Sequence, residues 1–342
     1  MATNYAAFLV GHQKRPLRVR AADDRYPDED EIVIKVCAIA INQIDWKMQD
    51  IPWTMFKYPI IMGTDVAGEV VDVGNEVTRF KIGDRVLGHA VSFATEDERH
   101  AGMQNYTVLM GNMASPIPDS LSFERAVVLP LGVSTAAAAL FQKDCMALPK
   151  PSLSPTTTFK TVLIWGGTSS VGSNAIQLAV AAGCEVVATA SRRNFDYVKE
   201  LGASEVVDYH SPTAKEELLK LFRSRELAGA FDAIGSEETF KSTAEVVSRA
   251  SGKRFIASTG DLEDVEDMEG LEGIEYKSIL AVDIRENEVG AMIYEEFLPG
   301  ALEAGKYIIA PEPLIVGKGL SSVQSGIDTS KTSPGKKVVV SI

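Results

Sequence analysis

At 342 residues the chain is too long for a single hydrophobic core, and two domains are its natural organisation. Its composition is that of an ordinary globular protein, with no low-complexity tract and no repeat. A formal net charge of −13 argues against nucleic acid or an anionic membrane as a partner.

In chain order, residues 1–127 read as short strands and turns. Tyr5–Val10, Glu31–Ala38 and Asp65–Val73 have strand character, and Gly63, Gly68, Gly74, Gly83 and Gly88 punctuate them. Glycines at such short intervals predict a small, strongly bent β-barrel rather than a flat sheet. The apolar stretch Val127–Phe141 is interrupted by Pro130, Gly132, Ser134 and Thr135, and reads as too short and too broken to span a bilayer. Helical segments then alternate with apolar strands over 128–284: Thr161–Trp165, Glu185–Ala190, Glu205–Val207, Phe231–Ile234, Arg254–Ala257 and Ile279–Val282. That alternation predicts a doubly wound parallel sheet covered on both faces. Lys150–Thr158 reads as a surface loop, and the acidic run Asp261–Glu269 as a solvated loop or helix face. A last apolar strand, Lys337–Ile342, is followed by no helix, so residues 285–342 are expected to return to the first domain and complete its barrel. Cys37, Cys145 and Cys184 have no metal-like spacing and read as small buried thiols. No basic segment followed by an apolar stretch and cleavage site opens the chain, and the expectation is a cytoplasmic protein.

The most informative stretch is Val162-Leu-Ile-Trp-Gly-Gly-Thr-Ser-Ser-Val-Gly172, an apolar run breaking into a small-residue turn before the helical segment Asn174–Ala182. Strand, tight turn and helix start form the geometry that seats a dinucleotide pyrophosphate on unpaired helix amides, here from Gly167, Thr168, Ser169, Ser170, Val171 and Gly172. Ser169 stands where the strict pattern has Gly. Beyond the next strand an NAD site usually carries Asp or Glu for the ribose hydroxyls, whereas this chain has Ser191, Arg192, Arg193 and Asn194. A carboxylate would repel a 2′-phosphate, while two guanidiniums and a hydroxyl would hold it, so the expected cofactor is NADPH. The alternative reading of the Arg pair is a solvated helix start.

Gly63-Thr-Asp-Val-Ala-Gly-Glu-Val-Val-Asp-Val-Gly74, Phe80-Lys-Ile-Gly-Asp-Arg-Val86 and Leu201-Gly-Ala-Ser-Glu-Val-Val-Asp-Tyr209 carry a wider resemblance. Over essentially its whole length the chain resembles the medium-chain dehydrogenase/reductase superfamily. The resemblance implies an α/β architecture of a Rossmann domain and a GroES-like β-barrel catalytic domain. It also implies a cofactor pose in which Tyr209 packs near the adenosine phosphate, and Ile234, Gly235 and Thr259 line the ribose and nicotinamide. Zinc alcohol dehydrogenases of the superfamily hold a catalytic metal with a Cys and a His, and the matching positions here are Asn42 and Thr64. An amide and a hydroxyl are poor zinc ligands. His12, His89, His100 and His210 are not paired at metal spacing, so no metal is expected.

A reductase without a Lewis acid must meet the developing enolate with hydrogen-bond donors and deliver a proton to the α-carbon. Ala40-Ile-Asn-Gln-Ile-Asp-Trp-Lys47 is similar to a stretch of the fungal trans-acting enoyl reductases of polyketide pathways, with Gln43 in place of the usual Pro, and Leu131-Gly-Val-Ser-Thr-Ala-Ala137 resembles their helix start beside the nicotinamide. The resemblance makes Lys47 the cationic or proton-donating group and Thr135 a hydroxyl near the reacting carbons, with Asn42 and Asp45 organising that wall. The competing readings are a solvent-facing lysine, a helix-capping threonine and a loop-fixing asparagine. Trp46, Trp53, Met55, Phe56 and Tyr58 are either barrel core or an apolar wall for substrate. The function so implied is NADPH-dependent, zinc-free reduction of an activated C=C bond in a small-molecule enone or enoyl thioester, presented free, on CoA or on a carrier protein. An NADPH:quinone oxidoreductase and a non-catalytic NADPH-binding sensor or scaffold are the alternatives, as monomer or homodimer.

Overall fold

The strand Glu31–Ala40 is too long to pair uniformly with its neighbours, and its irregularities shape the first half of the molecule. In the computed structural model, which describes residues 3–53, 57–262, 271–333 and 335–342, this strand is irregular between Val33 and Ile34 and between Val36 and Ala38. Such bulges bend a strand and increase its twist. One edge pairs throughout with Asp65–Val73. The other edge is shared: Glu31–Lys35 pair with Tyr106–Met110, and Ala38–Ala40 with the strand Lys337–Ser341. Gly68 lies opposite Val36 at the bend, where a Cβ would stand 2.1 Å from the carbonyl oxygen of Lys35. Only glycine permits that approach of two backbones.

These strands belong to a seven-stranded sheet that also holds Arg85–His89, Ala114–Pro116 and Pro313–Lys318. A three-stranded sheet, Arg18–Ala21, Tyr5–Leu9 and Ile60–Ile61, completes the unit. Its core is aliphatic, with Leu9, Ile32, Ile34, Ile39, Val66 and Met103 fully buried. The unit comprises Met1–Leu131, Tyr294–Gly305 and Ile309–Ile342. The strand read at Lys337–Ile342 does pair into the sheet of the first 127 residues.

The second unit comprises Gly132–Ile293 and Lys306–Ile308. Its six parallel strands run in the order Glu205–Asp208, Glu185–Ala190, Lys160–Trp165, Glu226–Asp232, Phe255–Ser258 and Glu275–Ser278. Numbered by sequence that is 3-2-1-4-5-6, the Rossmann arrangement of a doubly wound fold. Helices Ser170–Ala181, Phe195–Glu200, Ala214–Leu221 and Glu237–Arg249 lie between successive strands.

Two strands differ from the sequence reading. The edge strand is Glu275–Ser278, not Ile279–Val282, and Ala281–Glu286 forms a 3-10 helix. An edge strand is half wetted, so it is polar here, and the apolar run beyond it is a turn in which Ile279 is buried. The fourth strand spans Glu226–Asp232 and stops before Phe231–Ile234 is complete, because Asp232 Oδ1 accepts the amides of Ile234 and Gly235, each at 3.1 Å, and turns the chain. The stretch at Val127–Phe141 is also corrected. With Phe123–Ala126 it makes up Phe123–Phe141, 19 residues long and apolar enough by length and composition to cross a membrane, built of the helices Phe123–Ala126 and Pro130–Phe141 with a turn between them. Within the fold 78% of it is buried, the setting of a core helix. Cys145 and Cys184 are buried as expected, whereas Cys37 is half-buried. Met55, Phe56 and most of the acidic run lie outside the described residues.

Replacing Gly68 by Ala forces the two strands apart at their bend. The expected loss is roughly 1–3 kcal/mol of folding free energy, read as a lowered urea midpoint at unchanged m-value; an unchanged midpoint would show that the strands separate there without cost.

Candidate active site

The second unit gathers every sequence-predicted cofactor residue at the carboxyl ends of adjacent strands. After Lys160–Trp165 the chain passes through Gly166 to Gly172 and starts the helix Ser170–Ala181 four residues earlier than the apolar periodicity indicates. The early start has a cause in Ser169, whose Oγ accepts the amide of Gly172 at 2.9 Å and caps the helix. The departure from the strict glycine pattern is thus a cap, and it leaves the amides of Ser170 and Val171 at the open end of the helix dipole. Gly172 is held tightly: a Cβ would stand 2.2 Å from the carbonyl oxygen of Gly166. Ser170 Oγ is buried and, among the described residues, makes no hydrogen bond. A buried hydroxyl without a partner, beside open helix amides, fits a phosphate oxygen.

Ala190 and Asp208 are register partners on neighbouring strands, so the segments that follow them are adjacent. Ser191 is bonded by Asn194 Nδ2 at 3.0 Å, closing the turn that carries the two arginines. Arg192 is 83% exposed and its Nε lies 3.3 Å from Asp208 Oδ2, leaving the rest of the guanidinium facing outward. His210 donates its amide to Asp208 Oδ1, holding that carboxyl below its usual value, and its ring lies tilted against Tyr209 with centroids 4.1 Å apart. Ile234 is 49% exposed directly after its strand. Gly235 and Gly260 touch backbone to backbone, a Cβ on Gly235 falling 2.4 Å from Gly260 N, and Thr259 N bonds Asp232 O at 3.1 Å. The residues present fit a nicotinamide dinucleotide.

The first unit holds a polar cluster at the start of the helix Gln43–Asp50. Asn42 caps this helix, and its amide donates to Asp45 Oδ2 at 2.7 Å. Asn42 Nδ2 donates to Thr64 Oγ1 and to Asp65 Oδ2, each at 2.9 Å, while its carbonyl oxygen accepts from the Lys337 ammonium. Asp65 Oδ1 accepts the amide of Leu131 at 2.6 Å. Burial pushes the Asp45 carboxyl up to about 7, with the Asp65 carboxylate adding to the rise. Burial likewise pushes the His89 imidazole down to about 4.

Asn42 and Asp45 are therefore brought together, and the loop-fixing reading of Asn42 describes its contacts. Lys47 is half-buried in the same helix, its Nζ 6.0 Å from the Trp46 ring centroid. Thr135 belongs to the second unit; it is buried five residues inside the helix Pro130–Phe141, past the capping position. Trp46 and Tyr58 pack against the barrel core, and Trp53 meets Phe93 edge-on at 6.0 Å. Lys337 and Asp65 were missed as site residues. A lysine opening an otherwise apolar strand was the available signal for Lys337, and the carboxylate after Thr64 for Asp65.

Zinc does not fit this donor set. The two matching positions bond each other, and a fixed ammonium already sits on the Asn42 carbonyl. Among the described residues no group of three or more His, Cys, Asp and Glu could hold a metal. His100 pairs with Glu31 at 2.6 Å, and His12 bonds the carbonyl of Asp50.

Two families match the chain: the Alcohol dehydrogenase GroES-like domain over residues 28–150 and the Zinc-binding dehydrogenase over residues 170–282. The chain is 45% identical to the zinc-binding alcohol dehydrogenase domain-containing protein cipB of Emericella nidulans, over 99% of this chain and 98% of that one. It is 43% identical to the trans-enoyl reductase himH of Aspergillus japonicus, over 99% and 97%. The Escherichia coli quinone oxidoreductase complexed with NADPH has the same fold, with a TM-score of 0.70, 19% identity and full coverage of both chains. The protein is an oxidoreductase that belongs to the medium-chain dehydrogenase/reductase superfamily, among its enoyl reductase-like members.

The two buried titrating groups give a test with opposite signs. Asp45 is raised from 3.8 to about 7, so the folded chain keeps a proton that the unfolded chain has lost, and stability falls as pH rises through that window. His89 is lowered from 6.5 to about 4, so stability falls as pH drops through that range. In Asp45→Asn only the second effect remains. Relative to the wild type the variant should gain about 1.4 kcal/mol of stability per pH unit between pH 4 and 7, measured by urea unfolding at pH 5 and pH 7. A difference that does not change with pH would refute the buried, protonated Asp45.

Proposed function

We propose that the enzyme uses NADPH to reduce the C=C bond of an α,β-unsaturated thioester or enone. The observation that carries the cofactor preference is the segment Ser191–Asn194: two exposed guanidiniums and a hydroxyl stand where a ribose-binding carboxylate would exclude the 2′-phosphate. What supports the reaction class is the near full-length likeness to the trans-enoyl reductase himH. The proposed substrate is a small acyl chain on CoA or on a carrier protein, and the enzyme works as a monomer or a homodimer.

A nicotinamide, when bound, would supply the hydride. The work of this chain is to seat the nucleotide and manage the charge that results. Ser170 Oγ and the open amides of the helix Ser170–Ala181 would hold the pyrophosphate, and Ile234 and Thr259 would border the ribose and nicotinamide. Tyr209, tilted against His210, would pack near the adenosine phosphate. As hydride arrives, negative charge builds on the carbonyl oxygen of the substrate, and hydrogen-bond donors fixed in advance lower its energy without reorganising. Lys47 carries the cation and transferable proton on the first unit, and Thr135 carries a hydroxyl on the second.

Assays with NADPH and NADH, each against a crotonyl-type thioester and a para-quinone, decide the substrate class; turnover of the quinone alone would replace this reading. Arg192→Ala combined with Arg193→Ala should raise the KM for NADPH roughly 10- to 100-fold, as expected for lost charge-assisted hydrogen bonds, and leave the KM for NADH within about twofold. Equal effects on both would remove the 2′-phosphate clamp. Lys47→Met and Thr135→Val should each lower kcat by about 10²-fold or more, and unchanged kcat would clear the residue of chemistry.

A further inference from the structure

Lys337 opens the strand Lys337–Ser341, and its ammonium is sealed in the first unit with 5% of the side chain exposed. It lies 2.9 Å from Asp65 Oδ2, on a side chain with no exposed surface, and it donates to Asn42 Oδ1. Desolvating two charges can cost more than their attraction returns, and a well-packed apolar pair of similar volume would hold a strand equally well. A pair retained as ions therefore directs attention to what the ions hold. Asn42 commits its entire side chain: carbonyl to Lys337, one amide hydrogen to Asp65, the other to Thr64 Oγ1. Asp65 commits its second oxygen to the amide of Leu131, in the first turn of the helix Pro130–Phe141. Thr64 receives the hydrogen bond of Asn42 on its oxygen, which leaves its own hydrogen to donate, and 8% of the residue remains exposed. The two positions that correspond to zinc ligands in metal-dependent dehydrogenases are thus tied to each other and to a covalently tethered cation.

We propose that Lys337 is the resident cation of this site and a positioning residue. Its charge stands in place of a metal, and through Asn42 it fixes Thr64 with the hydroxyl hydrogen turned outward as a donor. The substrate that Thr64 meets rests on the enoyl reductase reading; the exclusion of zinc and the locking of Asn42 do not.

The test compares the wild type, Lys337→Met and the double variant Lys337→Met/Asp65→Asn. For each, kcat with a crotonyl-type thioester, KM for NADPH, thermal midpoint and zinc content after equilibration with zinc are measured. Lys337→Met strands a buried carboxylate and should lose stability; the double variant strands no charge and should recover the thermal midpoint. The expected result is a double variant that folds like the wild type, has a KM for NADPH within about twofold of it, and is slower in kcat by roughly 10- to 100-fold, the cost of a misplaced group. A double variant with wild-type kcat overturns the proposal, because the ion pair then only holds a strand. Stoichiometric zinc in the wild type that is lost in Asn42→Ala overturns it equally. Should the wild type reduce no thioester, the functional reading fails by itself, and exchange of the Asn42 side-chain amide hydrogens decides the positioning. Exchange faster by about tenfold or more in the double variant upholds it, and unchanged exchange rejects it.

Discussion

An ammonium removed from water must find acceptors for its hydrogens, and the first unit meets that demand for Lys337 at one polar cluster. Asp65 and Asn42 answer it, and in doing so they fix the beginning of one helix, the first turn of another and the pairing of the returning strand. Breaking such a pair from one side costs about 3–5 kcal/mol, because the other charge is left stranded. The register of Lys337–Ser341 against Ala38–Ala40 is therefore specified twice, by its apolar residues and by one charge. A slip of one residue would turn the ammonium to the opposite face of the sheet.

The nucleotide unit meets a different constraint with different means. Parallel strands end together, so their following turns collect at one edge, and the order 3-2-1-4-5-6 opens a crevice where the winding reverses. Small residues let backbones approach: Gly172 against Gly166, and Gly235 against Gly260. Polar side chains then finish the turns, Ser169 by capping its helix and Asp232 by gathering two amides and two hydroxyls. The turn after Lys160–Trp165 needs no large side chain, which is why it reads so plainly as a run of glycine, serine and threonine.

The legibility of the chain follows the range of the interactions. Turns and helix starts are local, so the pyrophosphate segment, the parallel strands and the return of Lys337–Ser341 could be read from residues adjacent in sequence. The end of Glu226–Asp232 and the place of the edge strand are not legible in this way, because a carboxylate folding back on nearby amides and a wetted edge both run against simple hydrophobicity. The Lys337–Asn42 contact joins residues 295 positions apart, and no periodicity announces it. Asn42 and Asp45 were legible by resemblance, but not as what the geometry makes them: an amide with no donor to spare and an acid pushed up to about 7.

The interleaving of the first unit has a bearing on how the protein is made. Ribosomes release a chain from its amino end, so Asp65 emerges long before Lys337 and must remain hydrated until its counter-ion is translated. The other unit, Gly132–Ile293, is nearly continuous in sequence and can mature during that interval, as contiguous domains generally do. A product lacking the strand Lys337–Ser341 would keep an open sheet edge and an unanswered acid.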